Sequence, residues 1–133
     1  MDSFPGTDRI IILGCSALLV SMVRAPMWLA DGTFKVVPSI FLQLYSIHFQ
    51  LVNGINPAGL YCLLPNKTRA TYDRVLTEIL RLIPLANPTV ILTDFELASM
   101  GAFREKFPHA RITGCYFHLA QSVIRKVTEV GLS

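Results

Sequence analysis

At Thr68 the spacing of the apolar residues changes, and that change limits the folds open to the chain more than any other feature. After it, Tyr72, Val75, Leu76, Ile79 and Ile83 fall at i, i+3, i+4, i+7 and i+11, one stripe of an amphipathic helix that Pro84 stops. Before it, the apolar residues come in short runs rich in aromatic and β-branched side chains. Met27 to Phe34 (MWLADGTF) predicts a buried strand with one acid in it. Ile40 to Val52 (IFLQLYSIHFQLV) predicts a longer strand, joined to the first as a hairpin across Lys35 to Ser39. Asn53 to Pro57 (NGINP) is turn chemistry, and Ala58 to Leu64 gives a third strand. Beyond the helix, Thr89 to Thr93 (TVILT), opened by Pro88 and closed by Asp94, suits a buried central strand. A helix lined by Met100, Phe103 and Phe107 follows as far as Pro108, and Ala110 to Gly114 predicts a fifth short strand. A helix from Phe117 to Val130 closes the chain, with Phe117, Ala120, Ile124 and Val127 inward and Gly131 as its stop. The order βββαβαβα is that of an α/β sheet with mixed strand directions.

Such a sheet needs a large core, and the composition supplies it. Of 133 residues, 52% are apolar and 16% charged, which excludes a disordered tail and suggests a sheet buried on both faces of one domain, 1–133. A net charge of +3 is compatible with a polyanionic partner without demanding one. Cys15, Cys62 and Cys115 are scattered without repeated spacing, unlike a secreted disulfide scaffold, so a reducing compartment is expected. The apolar run Ile10 to Val23 imitates a signal-peptide core. Its leader, however, carries Asp2 and Asp8 against the single Arg9, and the run is shorter than the roughly 20 residues that span a bilayer. The expectation is a buried strand and helix leading into the domain, and no membrane.

Two acids stand out. Asp31 sits within a strand otherwise fit for burial, where a carboxylate is costly unless paired, hydrogen-bonded or bound to a metal. Asp94 ends the apolar run TVILT, at the strand edge where open α/β sheets collect their ligands. Two acids at one sheet edge make a cation site. The plainer alternatives are a turn at Asp31-Gly32 and a helix cap at Asp94.

The strings WLADGTFKVVPSIFLQLYSIH, LLPNKTRATY, ILTDFE and FPHARITGCYFHLAQSVIRK, in this order, resemble successive blocks of the Mutator-like element (MULE) transposase catalytic domain. The resemblance covers roughly residues 24–126. It implies a ribonuclease H-like fold in which two aspartates and a distant glutamate hold Mg²⁺ or Mn²⁺ for phosphodiester chemistry. The matching positions are Asp31, as a bridging ligand, and Asp94, as a ligand to one ion. Glu96 is either an auxiliary ligand or an acid favoured by the dipole of the following helix, the simpler account. Cys115 and His118 match the family's Cys/His motif, which implies a polar role near the active site; the alternative is two packed core residues. They are half a zinc site at most.

The basic residues Lys67, Arg69, Arg74, Arg81, Arg104, Lys106, Arg111, Arg125 and Lys126 fall mainly on expected helix surfaces. Any DNA contact they make is to phosphates, salt-sensitive and without sequence readout. The resemblance also implies a nuclear or otherwise intracellular protein and admits a homo-oligomer. The family's glutamate is expected beyond a further helical insertion, and Glu129, inside the closing helix, comes too early to match it. A fragment, a truncated gene model or a decayed element copy would each read this way. The functional expectations are therefore a DNA transposase domain, incomplete and inactive alone, or a non-catalytic remnant serving as a DNA- or protein-binding module.

Overall fold

The computed structural model describes residues 9–33, 41–94 and 96–114. They form β1 (Ile11–Gly14), α1 (Ser16–Arg24), β2 (Met27–Thr33), β3 (Gln43–Phe49), β4 (Ala58–Leu64), α2 (Arg69–Leu82), β5 (Val90–Thr93), α3 (Leu97–Lys106) and β6 (Arg111–Gly114). The expected hairpin connection at Lys35 to Ser39 and the closing helix from Phe117 to Val130 lie outside the described residues. The strands make one six-stranded mixed sheet in the order β1-β4-β3-β2-β5-β6. Neighbours from β1 to β2 in that order are antiparallel, while β2–β5 and β5–β6 are parallel. The strand carrying Asp31 is thus inside the sheet, with β3 on one side and β5 on the other.

Local chemistry explains the boundaries. Thr68 caps α2 by accepting from the Thr71 amide, and Asn66 Oδ1 accepts from the Thr68 amide and from the hydroxyls of Thr68 and Thr71, satisfying groups that a helix start leaves without partners. Its buried face is Thr71, Tyr72, Val75, Leu76 and Ile79, the stripe read from the sequence with Thr71 added. The second strand is shorter than its apolar run. The ladder continues past a register shift between Ile47 and His48 and ends before a turn at Leu51–Ile55. Asn53 Oδ1 accepts from the Ile55 amide in that turn, and Gly54 takes a φ of 86°, which a side chain would resist. In α3 the buried positions are Ser99, Ala102 and Phe103, with Phe107 buried just past its end; Met100, expected on that face, is only half-buried.

The core lies between one face of the sheet and the helices. Trp28, Tyr45, Ile47, Phe49, Leu60, Cys62, Leu64 and Ile91 meet Met22 of α1, the inner face of α2, and Phe103 and Phe107. Trp28 packs edge-on to Phe107 with ring centres 5.3 Å apart and donates its Nε1–H to the Met22 carbonyl at 3.2 Å. Composition suggested a sheet buried on both faces, and among the described residues the cover is uneven: Trp28, Leu29 and Ala30 of the central β2 are all buried, while β3 alternates buried and half-buried from Gln43 to Phe49. On the second face, cross-strand partners Leu13 and Tyr61 are 54% and 45% exposed. The expected buried strand and helix over Ile10 to Val23 are present, yet β1 is an edge strand and α1 buries Met22 alone. An edge strand has a neighbour on one side only, so less of its surface is covered.

Burial suppresses ionisation in this core. It pushes the Cys62 thiol from its ordinary 9.0 to about 12, and raises the Tyr45 hydroxyl well above the usual tyrosine range. Both groups keep their protons longer when folded than when unfolded. Their contribution is complete below the unfolded values and is lost as pH climbs through the folded ones, at about 1.4 kcal/mol per pH unit for each group. Thermal melts followed by circular dichroism should therefore show Tm falling between pH 9.0 and about 12. Cys62→Ala should start lower but fall less steeply.

Candidate active site

β2 and β5 pair in parallel from Met27↔Val90 through Trp28↔Ile91 and Leu29↔Leu92 to Ala30↔Thr93. Asp31 and Asp94 are the next residue on each chain. Adjacent strands lie about 4.8 Å apart, so both backbones leave the last registered pair side by side. Trp28 and Ala30 belong to the core, which puts Asp31, by alternation, on the opposite face with Leu29. Asp31 is half-buried, and its Oδ1 is shut away from solvent. The plainer account of Asp31-Gly32 as a turn does not hold, because both residues pair with β3, opposite Ser46 and Tyr45. Glycine is required there for another reason: a Cβ at Gly32 would collide with the Gln43 amide oxygen.

Gln43 opens a polar network beneath the acids. Its Nε2 donates to the Tyr72 hydroxyl at 3.0 Å and to the Asn66 carbonyl at 3.2 Å, and Tyr72 donates to Glu96 Oε2 at 2.8 Å. Burial is the main cause that raises the Tyr72 hydroxyl above its ordinary value; the Gln43 bond opposes it, and the Glu96 bond and charge add to it. Tyr45 and Ser99 hydroxyls lie 2.5 Å apart, Ser99 and Thr93 3.1 Å, and Thr93 Oγ1 donates to Asp94 Oδ1 at 3.4 Å. Gln43, Thr71, Thr93 and Ser99 are the buried polar residues of the described set, and three of them lie in these two chains. Sequence reasoning missed Gln43, Tyr45, Tyr72 and Ser99 as polar participants. The available signal was Gln43, a polar residue in phase with Tyr45, Ile47 and Phe49 on the apolar side of its strand.

Glu96 is the N-cap residue of α3, but its side chain makes no capping bond. Its carboxylate accepts from Tyr72 instead, so the helix-dipole account is incomplete. Cys115 and His118 lie outside the described residues. His48 Nδ1 lies 2.9 Å from the Asn56 carbonyl, a strand histidine with a local partner. Among the described residues, no three of His, Cys, Asp or Glu come together as a group able to hold a metal ion. Asp31 and Asp94 nonetheless suit a divalent cation in kind. They are hard oxygen donors at neighbouring strand positions, one of them with an oxygen already removed from water. Of the basic residues, Arg69 pairs with Asp73 and Glu105, and Arg81 with Glu78, so these cations are partly neutralised on the surface.

A mixed six-stranded sheet with three helices makes the described residues an α/β domain, compatible with a transposase-type domain. The chain belongs to the MULE transposase domain family, whose sequence pattern it matches over residues 27–122. The match begins on the first residue of β2 and leaves β1 and α1 outside it. No curated protein matches the chain. Among the described residues no helix is long and apolar enough to cross a membrane.

Gly32→Ala tests the packing that supports this edge. The new methyl should displace the Gln43 amide and break its bonds to Tyr72 and Asn66, lowering the unfolding free energy by about 1–3 kcal/mol. In urea titrations the same substitution should cost less when Gln43 is already alanine.

Proposed function

We propose that this chain is a transposase-derived domain for metal-dependent cleavage and transfer of DNA strands. The observation that carries the reading is that Asp31 and Asp94 each stand one residue beyond Ala30↔Thr93, the last pair of two adjacent parallel strands. A ribonuclease H-like fold is favoured by the arrangement of β2 to β6. The first strand of the family match is inside the sheet, an antiparallel meander extends on one side, and two parallel strands on the other.

Asp31 and Asp94 are the groups that would hold Mg²⁺ or Mn²⁺. When bound, such ions stabilise charge on the attacking and leaving oxygens of a phosphodiester during an in-line displacement. The chain's own part is to keep two carboxylates at the sheet edge and to limit water there, which Asp31 Oδ1 already experiences. Glu96, held by Tyr72, stands two residues from Asp94 as an auxiliary acid. Cys115 and His118 take a polar role beside the site. DNA is met through phosphates by surface Lys and Arg, so binding is salt-dependent and target choice lies elsewhere. A DNA substrate suits a working protein that is nuclear or otherwise intracellular.

Titration calorimetry with Mn²⁺ tests the reading. Weak binding is expected from an incomplete carboxylate shell, and Asp31→Asn or Asp94→Asn should each lower the affinity more than about tenfold, since removing a ligand exceeds the loss of an outer partner. Equal affinity in the wild type and both variants would leave the non-catalytic binding module as the better account.

A further inference from the structure

Three hydroxyl groups are buried together where β3, β5 and α3 meet: Tyr45 is 1% exposed, and Thr93 and Ser99 are 0% exposed. Buried hydroxyls are costly without partners, and a phenyl, a methyl and an isopropyl group would fill the same space. Their proton order follows from the contacts. An ionised carboxylate only accepts, so the single proton of Thr93 Oγ1 goes to Asp94 Oδ1. Thr93 then has only lone pairs to offer Ser99, and Ser99 must donate to it. With that proton committed, Ser99 can only accept from Tyr45, and the Tyr45 hydroxyl is the source of the chain. Burial keeps Tyr45 protonated and able to donate, and no water reaches the chain to compete. Hydrogen bonds aligned in one direction polarise one another, and this alignment ends on a carboxylate at the sheet edge.

We propose that Tyr45, acting through Ser99 and Thr93, is a positioning residue that aims Asp94 at its cation. The inference rests on Asp94 being a ligand. Outer partners that orient ligating carboxylates typically contribute about 10–100-fold to metal affinity. A role in folding alone predicts the reverse pattern, lost stability with unchanged affinity. Replacing every member of the buried hydroxyl chain by an apolar group of similar shape leaves no group unpaired, so stability should stay nearly unchanged.

The test is Mn²⁺ calorimetry on the chain carrying Tyr45→Phe, Ser99→Ala and Thr93→Val together, beside each single substitution and Asp94→Asn, with melting curves for all. The triple variant should melt near the wild-type temperature yet bind Mn²⁺ about tenfold more weakly. Adding Tyr45→Phe to Ser99→Ala should lower the affinity by less than the two single effects combined, since Tyr45 acts largely through Ser99 and keeps only its direct interaction with Thr93. If Asp94→Asn lowers the affinity while the triple variant, or the single variants should the triple not fold, bind as the wild type does, the positioning role is overturned and the ligand role of Asp94 stands. If Asp94→Asn binds Mn²⁺ as well as the wild type, both fall.

Discussion

The parallel pairing of β2 with β5 is the contact on which the rest depends. It joins Met27–Ala30 to Val90–Thr93, segments about sixty positions apart, and only the passage through β3, β4 and α2 brings them together. A parallel neighbour cannot be reached by a tight turn, so the amphipathic helix that starts at Thr68 is a topological necessity as well as a source of core. Its inner face shares one core cluster with Tyr45, Ile47 and Leu64, the Tyr72 ring lies against Tyr45, and α3 packs beside it. Register then does the rest: because Ala30 stands opposite Thr93, each aspartate is one residue beyond the last pair.

Beneath that edge the core departs from an apolar packing. Most interior positions carry Trp28, Phe49, Leu60, Ile79 or similar residues, whereas Gln43, Tyr45, Tyr72, Thr93 and Ser99 carry polar atoms into the interior. They form two donor chains, one ending on Asp94 and the other on Glu96. Each buried polar group would be destabilising alone, and each is satisfied by the next. Gly32 belongs to the same construction, since its missing side chain is the space the Gln43 amide occupies. The polar part of the core is thus concentrated under the two acids, and it reaches β4 only where Gln43 and Tyr45 stand opposite Leu64 and Cys62.

Much of this frame was legible in the sequence. The helical stripe from Tyr72 to Ile83 predicted α2, and turn residues bracketed β4 at its observed limits, Ala58 and Leu64. These are local patterns, fixed by side-chain period and by backbone preferences. The register shift within β3 was not legible, because a bulge depends on how two strands meet. The uneven cover of the two faces was not legible from composition either, since an apolar total does not say which side of a strand its residues occupy. Least legible were the donor chains. Tyr45 and Ser99 lie 54 positions apart, and Tyr72 and Glu96 lie 24 apart, so neither contact leaves a periodic mark. Asp31 and Asp94 could be singled out because acids in apolar strands are anomalous on their own, and family resemblance assigned them a role that neither residue's spacing carries.

The most direct test of the account is where a divalent ion sits. Crystals of the chain soaked in MnCl₂ can be measured at a wavelength where manganese scatters anomalously, which locates the ion without reference to activity or to DNA. The account predicts an anomalous peak at the end of β2 and β5, coordinated by both the Asp31 and Asp94 carboxylates. A peak held elsewhere, or an edge at which the two carboxylates turn away from each other with no ion between them, would contradict it.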